Sequence, residues 1–254
     1  MSHKFNISME HIDAIAGQLK TYLKTNRLDG VTLGVSGGVD SATSLGIARK
    51  VLEPEQIYAM WMPYQDQEPH DARAVAKKFS VTLHTHPVNG VVSAAIEAAQ
   101  DHPDKLRVGN FCARSRMMLL YDQAKLRNSI VLGTSNRSEI MSGYFTKWGD
   151  QACDFSPLAQ FFKTEVYQMA ELLKVPQKII NKPPSAGFYE GQEDEDELGI
   201  TYEELDQNLI LKIRIDKIIG EAGDIKKFRH TNWLVRKSDH KRKPLVGIRE
   251  PDVN

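Results

Sequence analysis

Apolar residues recur at helical spacing near the start of the chain. One face of a predicted helix between Ser8 and Lys24 carries Met9, Ile12, Ile15, Ala16, Leu19, Tyr22 and Leu23. Similar patterns predict helices over 41–52, 71–79, 91–100, 110–127, 163–173 and 202–220. Short apolar runs predict strands over 31–35, 57–62, 81–86 and 129–133. Strands that are apolar throughout and alternate with helices indicate an α/β fold, a doubly wound, mostly parallel sheet with helices on both faces.

Two regions interrupt this alternation. Residues 134–160 are rich in Gly, Ser, Thr and charged residues, and we predict that they form an active-site loop. Residues 181–199 combine Pro183 and Pro184 with glycines and acidic residues, which is typical of a mobile surface loop. Because the sequence contains neither an internal repeat nor a long linker, residues 1–254 are expected to form one domain.

Composition narrows the class of protein further. The 33 basic residues balance the 33 acidic ones, which argues against a dedicated nucleic-acid-binding protein. Two cysteines are too few for a disulfide framework. The N-terminus has no apolar signal region, and no run approaches the roughly 20 apolar residues that cross a bilayer. We therefore expect a soluble cytoplasmic protein without a membrane partner.

A glycine-rich turn joins the first predicted strand to the next helix. Its residues are Gly34, Val35, Ser36, Gly37, Gly38, Val39, Asp40 and Ser41. Adjacent glycines allow the backbone to approach a ligand closely, and the following helix presents unpaired N–H groups to an anion. Asp40 would repel phosphate unless a divalent cation lay between them, which makes it a candidate Mg²⁺ ligand. The alternative is a turn that binds nothing.

This turn differs from the Walker motif and resembles the SGGxDS signature of ATP pyrophosphatases, which cleave ATP between the α and β phosphates. Further motifs resemble those of one pyrophosphatase family, the NAD synthetases, from about residue 30 to about residue 243. They are Asn110–Met118, Val131–Glu139, Gly143–Asp150, Asp154–Leu158, Phe162–Thr164, Lys182–Ala186, Gly191–Glu195, Glu197–Asp206 and His240–Arg242. Their order and spacing identify the chain as a member of that family.

The resemblance implies a role for each matching residue. ATP would contact the Gly34–Ser41 loop, Thr134, Lys163 and Ser185, and Mg²⁺ would be held by Asp40 and Glu139. Deamido-NAD would contact Arg114, Lys147, Asp154, His240 and Lys241. These residue types suit the ligands, since Arg and Lys bind anions and Asp binds ribose hydroxyls.

The implied reaction forms an acyl adenylate on the nicotinate carboxylate of deamido-NAD, which ammonia then converts to the amide. Asp40 and Lys163 would act on ATP, while Asp150 and Asp154 are candidates for accepting the proton of ammonium. Only about 30 residues precede the first predicted strand, which leaves no room for an amidase domain of the kind that supplies nitrogen from glutamine. Free ammonia is therefore the expected nitrogen donor, unless a separate subunit supplies the nitrogen. Family members are homodimers, and the apolar run Met117–Tyr121 is a candidate dimer face.

Two other classes of protein share parts of this pattern. A tRNA-modifying pyrophosphatase would explain the SGGxDS loop, with Cys112 and Cys153 as sulfur carriers, but it would need a basic surface or an RNA-binding appendage. A non-catalytic nucleotide-binding module would explain the fold but not the pairing of Asp40 with Glu139. His84 and His86 alternate along a strand without an evident third ligand, so we interpret them as a surface pair rather than a metal site.

Overall fold

The computed structural model of the chain describes residues 6–185, 187, 191–215, 230–231, 233–235, 237–238 and 241. Four strands form the sheet: β1 (Gly30–Gly34), β2 (Ile57–Trp61), β3 (Leu83–Thr85) and β4 (Ser129–Val131). The helices of the described residues are α1 (Met9–Asn26), α2 (Val39–Arg49), α3 (His70–Lys78), α4 (Asn89–Ala99), α5 (Lys105–Leu126), α6 (Arg137–Ser142), α7 (Lys163–Leu172), α8 (Gln177–Ile180), α9 (Asp194–Leu198) and α10 (Tyr202–Ile215).

The sheet is parallel, with the strand order β3-β2-β1-β4. Val31 pairs with Ile57 on one side of β1, and Gly30 pairs with Ser129 on the other. The chain thus runs outward from β1 to β3 and then crosses to the opposite side of β1 to form β4. This reversal separates the loops that follow β1 and β4, and such a switch point is where ligands bind in open α/β sheets.

Alternate strand residues face two hydrophobic cores, one on each side of the sheet. Val31 and Leu33 join the core that contains α1, α2 and α7, whereas Met60 and Val131 join the core under α4 and α5. Every residue from Val39 to Ala48 in α2 is buried except Asp40, so this helix lies inside the first core. The predicted doubly wound α/β class is confirmed.

Several predicted boundaries are wrong for local reasons. The helix predicted from residue 110 begins at Lys105, because Asp104 caps it by accepting the N–H of Arg107 at 2.8 Å. Cys112 therefore lies in the interior of α5 and is buried, not in a first turn. The stretches predicted as loops contain α6 and α9, which at six and five residues are too short to show an apolar period.

His84 in β3 and His86, which follows the strand, pack against one tyrosine and are half-buried, so the predicted surface pair is wrong. The His84 ring stacks on Tyr58 with centroids 4.1 Å apart, and the Tyr58 hydroxyl lies 3.0 Å from Nε2 of His86. The guanidinium of Arg127 lies 3.4 Å from the Tyr58 ring centroid. Burial and the charge of Arg127 lower the pKa of His84. Within the described residues, no helix is long and apolar enough to span a lipid bilayer.

Candidate functional site

A cavity of about 500 Å³ opens at the carboxyl ends of β1 and β4. Its walls come from the loops that follow these two strands, from α5 and from the segment after α8. Ser44 of α2 donates a 3.0 Å hydrogen bond to the carbonyl of Gly133, which ties the helix after β1 to the loop after β4. A volume of this size suits a nucleotide-sized ligand.

The loop after β1 presents backbone donors to the cavity. Gly38 is the N-cap of α2 and has no side chain with which to cap it, so the first helical N–H groups stay available to an anion. The Ser41 hydroxyl donates to the Gly38 carbonyl at 3.0 Å, and the Gly38 N–H donates to Ser36 Oγ at 3.2 Å. Seven of the eight predicted loop residues line the cavity: Gly34, Val35, Ser36, Gly38, Val39, Asp40 and Ser41.

Gly37, the remaining residue of the predicted loop, is not among the described residues that line the cavity. Its φ of +88° is one that L side chains rarely adopt. A Cβ at this position would lie 2.6 Å from Cβ of Asp71 and 2.9 Å from the backbone nitrogen of Ala72. Glycine is therefore required because the loop packs directly on the first turn of α3.

A buried lysine joins the two predicted metal ligands. Lys163 Nζ lies 2.5 Å from Asp40 Oδ2 and 3.5 Å from Glu139 Oε1, and only 3% of its side chain is exposed. Asn136 donates from Nδ2 to Asp40 Oδ1 at 2.9 Å. The structure thus brings together Asp40, Glu139 and Lys163, which lie on three elements far apart in sequence.

Burial and neighbouring charges shift the pKa values in this cluster, and their balance differs between Glu139 and Lys163. Burial, reinforced by the Asp40 carboxylate, raises the pKa of Glu139 to about 8. Burial alone would lower the pKa of Lys163, but the carboxylates of Asp40 and Glu139 outweigh it and raise that pKa well above its ordinary value. The lysine is therefore a permanent cation. Its single positive charge neutralises only one of the two carboxylates when both are ionised.

Two helix starts position these side chains. Asn136 caps α6 by accepting the N–H of Glu139 at 3.0 Å, and Glu139 Oε2 accepts the N–H of Asn136 at 3.2 Å. At the start of α7, Lys163 N–H donates to Ser138 Oγ at 2.8 Å and Thr164 N–H donates to the Asp206 carboxylate at 2.9 Å. A carboxylate from α10 thereby stabilises the positive end of α7 and holds Lys163 in place.

The other residues predicted to bind ATP also line the cavity, namely Thr134 and Ser185. Three of the five residues predicted to bind deamido-NAD lie around the 143–150 segment, namely Arg114, Lys147 and Lys241. Arg114 Nε donates to the Lys147 carbonyl at 3.3 Å, and Lys241 Nζ donates to the carbonyls of Gly143 and Phe145, both at 2.9 Å. His240 lies outside the described residues.

The two candidate proton acceptors occupy different surroundings. Asp150 lines the cavity, and its carboxylate accepts the N–H of Thr146 at 2.9 Å. Asp154 is not among the described residues that line it. Instead its Oδ2 accepts the N–H of Val131 at 2.8 Å, and its Oδ1 accepts the hydroxyl of Tyr121 at 3.4 Å. Asp154 is thus fixed to the end of β4, on the side toward α5.

Sequence reasoning missed several residues of the site. Asn136 lies in one of the recognised motifs, and an Asn three residues before a Glu is a capping-box signal that could have predicted the start of α6. Tyr144 and Asp194 also line the cavity, and the Tyr144 hydroxyl donates to Asp194 Oδ1 at 3.1 Å. No local sequence pattern predicts that contact, because it joins two residues that lie 50 positions apart, one in the 143–150 segment and one in α9.

Comparison with known proteins places this site in a family. The model of the NAD synthase family matches residues 11–245. An NH₃-dependent NAD⁺ synthetase from Thermococcus kodakarensis is 42% identical over 242 residues, which are 93% of this chain and 95% of that protein.

Two solved structures are similar across nearly the whole chain. The NMN synthetase from Francisella tularensis has a TM-score of 0.85 and 32% identity, covering 96% of this chain and all of the other (100%). The NH₃-dependent NAD synthetase from Campylobacter jejuni, in complex with nitrate, has a TM-score of 0.82 and 26% identity, with the same coverage of 96% and 100%.

Proposed function

The chain belongs to the NAD synthase family, and we propose that it makes NAD from deamido-NAD, ATP and free ammonia. One observation carries the proposal: the Gly34–Ser41 loop, two carboxylates and a buried lysine meet at one end of a nucleotide-sized cavity. The neighbouring N–H groups and Lys163 suit a triphosphate, whereas a binding module without chemistry has no need for two half-buried acids beside it.

Magnesium is the cofactor that fits this donor set. Asp40 and Glu139 each place a carboxylate oxygen against the same Lys163 ammonium group, so the two acids are close neighbours, and Mg²⁺ is commonly held by one or two carboxylates together with phosphate oxygens. When bound, the ion would screen the negative charge that develops on the phosphates. Lys163, already paired with Asp40, would supply a second and fixed positive charge beside the leaving pyrophosphate.

The remaining chemistry needs positioning rather than a protein nucleophile. A carboxylate oxygen of the nicotinate ring attacks the α-phosphorus, and the bond to the bridging oxygen breaks to release pyrophosphate. Ammonia then attacks the carbonyl carbon, the bond from that carbon to the oxygen on phosphorus breaks to release AMP, and one proton is lost from nitrogen. Of the two candidate acceptors, Asp150 is the one that lines the cavity, so we propose it for this proton.

Deamido-NAD is proposed to lie against the 143–150 segment, where Arg114, Lys147 and Lys241 supply positive charge, together with Asp154 and His240. A substrate here would enter the cavity past Asp150 with its carboxylate leading. Two phosphates of the dinucleotide suit the cationic groups, and the exposed Asp154 carboxylate suits ribose hydroxyls.

A second candidate substrate is nicotinate mononucleotide, favoured by the likeness to the Francisella NMN synthetase. Both substrates present the same carboxylate, and they differ in the adenylyl half alone. The same active site could therefore amidate either, and contacts beyond the nicotinate ribose would decide between them.

The test supplies purified protein with ATP, Mg²⁺ and ammonium, together with deamido-NAD or with nicotinate mononucleotide. We expect AMP, pyrophosphate and NAD in equal amounts with deamido-NAD, and no AMP when the acceptor is omitted. Formation of ADP would reject the assignment of the loop, and a higher kcat/KM with the mononucleotide would select the second candidate. Asp40→Ala should abolish turnover while the fold is retained.

We also propose that the protein is a homodimer that associates through α5. Met118 and Leu126 of this helix are 54% and 72% exposed, although Met117 and Leu120 are buried in the core. Light scattering should give about twice the 28.7 kDa chain mass, and Met118→Glu with Leu126→Glu should reduce it to one chain mass. Val91→Glu, at an exposed apolar position on α4, is the matched control that should remain dimeric.

A further inference from the structure

Asp71, which the proposed reaction does not use, lies directly beneath the phosphate loop. It occupies the first turn of α3, where its Cβ is the closest neighbour that a side chain at Gly37 would meet, at 2.6 Å. Its two carboxylate oxygens hold two different ammonium groups. Lys182 Nζ lies 2.8 Å from Oδ2, and Lys178 Nζ lies 3.2 Å from Oδ1. The hydrogen bond from Lys182 is the main reason that the pKa of Asp71 is lowered.

The two lysines differ in their relation to the cavity. Lys182 lines it, as do the following Pro183, Pro184 and Ser185, whereas Lys178 is not among the described residues that do so. An ammonium group has three hydrogens, and the bond to Asp71 uses one, which leaves donors for a ligand. The trio of one carboxylate and two ammonium groups also carries a net positive charge beside the loop that faces the phosphates.

A second contact holds the same segment from the other end. Gln67 Nε2 donates to the carbonyl of Gly187 at 2.9 Å, and Gln67 Oε1 accepts the Tyr64 N–H at 3.0 Å and Arg116 Nη2 at 3.3 Å. Residues of the stretch 64–71 therefore contact both Lys182 and Gly187, which lie on either side of Ser185. Asp71 and Gln67, which lie outside the recognised motifs, thus help to fix the position of Lys182 along the cavity wall.

We propose that Asp71 is a positioning residue for ATP, which holds the Lys182 ammonium group at the phosphate loop as an additional donor to the triphosphate. The proposal rests on the proposed function, since it assumes that ATP occupies this cavity. Without the carboxylate, the two lysines repel each other and Lys182 leaves the loop. Asp71 thus acts on ATP through Lys182 and has no part in binding the second substrate.

The test compares Asp71→Asn, Lys182→Gln and the double variant. Calorimetry gives the Kd of ATP with Mg²⁺, and steady-state assays give KM for each substrate. Asp71→Asn should raise Kd and KM for ATP up to about fivefold, the loss expected for one partly exposed ionic contact, and leave KM for deamido-NAD within about twofold. The double variant should bind ATP no more weakly than Lys182→Gln alone, because both changes remove the same contact.

Lys178→Gln is the matched control, since it removes the other partner of the same carboxylate and should leave the Kd of ATP within about twofold. Asp71→Glu, which restores the charge, should recover part of the lost affinity. Unchanged ATP affinity in Asp71→Asn, or losses that multiply in the double variant, would overturn the proposal. So would a parallel rise in both KM values with a large drop in Tm. If the wild type makes no NAD, the proposed function fails, yet ATP binding still tests Asp71.

Discussion

Replacing Lys163 by methionine tests the electrostatic core of the site. Methionine keeps much of the buried aliphatic stem but removes the charge that lies 2.5 Å from Asp40 and 3.5 Å from Glu139. Removing one partner of a buried ion pair usually costs about 3–5 kcal/mol. Glu139, whose pKa is already about 8, can take up a proton and relieve part of the repulsion. We therefore expect the free energy of unfolding to fall by roughly 2–3 kcal/mol.

Thermal unfolding at pH 7.5, without ATP or Mg²⁺, measures this loss. A change of that size lowers Tm by roughly 5–10 °C in a chain of this length. The pKa of Glu139 is higher in the folded state than in the unfolded state, so folded protein binds more protons between the two values. The folded form should therefore lose stability as the pH rises from about 4.5 to about 8, and more steeply in the variant, which lacks the lysine charge that lowers this pKa.

The control variant replaces a lysine that lies outside the cluster of Asp40, Glu139 and Lys163. Lys178→Met removes a lysine that is 55% exposed and pairs with a single carboxylate, so Tm should change by no more than about 2 °C. The kcat of Lys163→Met should fall at least about a hundredfold, because a charge beside the leaving group is lost. A Tm for Lys163→Met within about 2 °C of the wild-type value, roughly the error of such scans, would refute the reasoning.

Three further changes test neighbouring contacts. Asn136→Asp keeps the cap of α6 but places a carboxylate against Asp40, and kcat/KM should fall about tenfold; full activity would contradict the role of the amide donor. Gly37→Ala should lower the free energy of unfolding by about 2–3 kcal/mol in a denaturant titration, from its φ of +88° and the clash with α3, whereas Gly38→Ala should cost far less. His84 has a lowered pKa in the folded state, so its contribution to stability is complete above the ordinary pKa of 6.5 and is lost as the pH falls through the folded value. His84→Phe should flatten the fall in Tm between pH 7.5 and 5.5, and an unchanged pH profile would argue against the shift.

Local patterns predicted most of the fold because each element carries its own signal. The strands are apolar along their length, and the longer helices bury one face, so both periods are visible in the sequence. The short helices α6 and α9 escaped prediction, since helices of six and five residues complete too few turns to show an apolar stripe. Their stability comes instead from capping and from packing, which depend on distant residues.

The order of residues along the chain specifies the alternation of strands and helices, the glycine-rich loop and the residue types suited to phosphate and magnesium, and the family resemblance implies that Asp40 and Glu139 share a cation. The tertiary structure adds that Lys163 lies buried against both carboxylates, because the crossing of the chain from β3 to β4 brings α2 together with α6 and α7. It also decided that Gly37 turns away from the cavity and that Asp71 holds Lys182. Those contacts join residues separated by as many as 123 positions along the chain, and no local pattern of hydrophobicity or charge encodes such pairs.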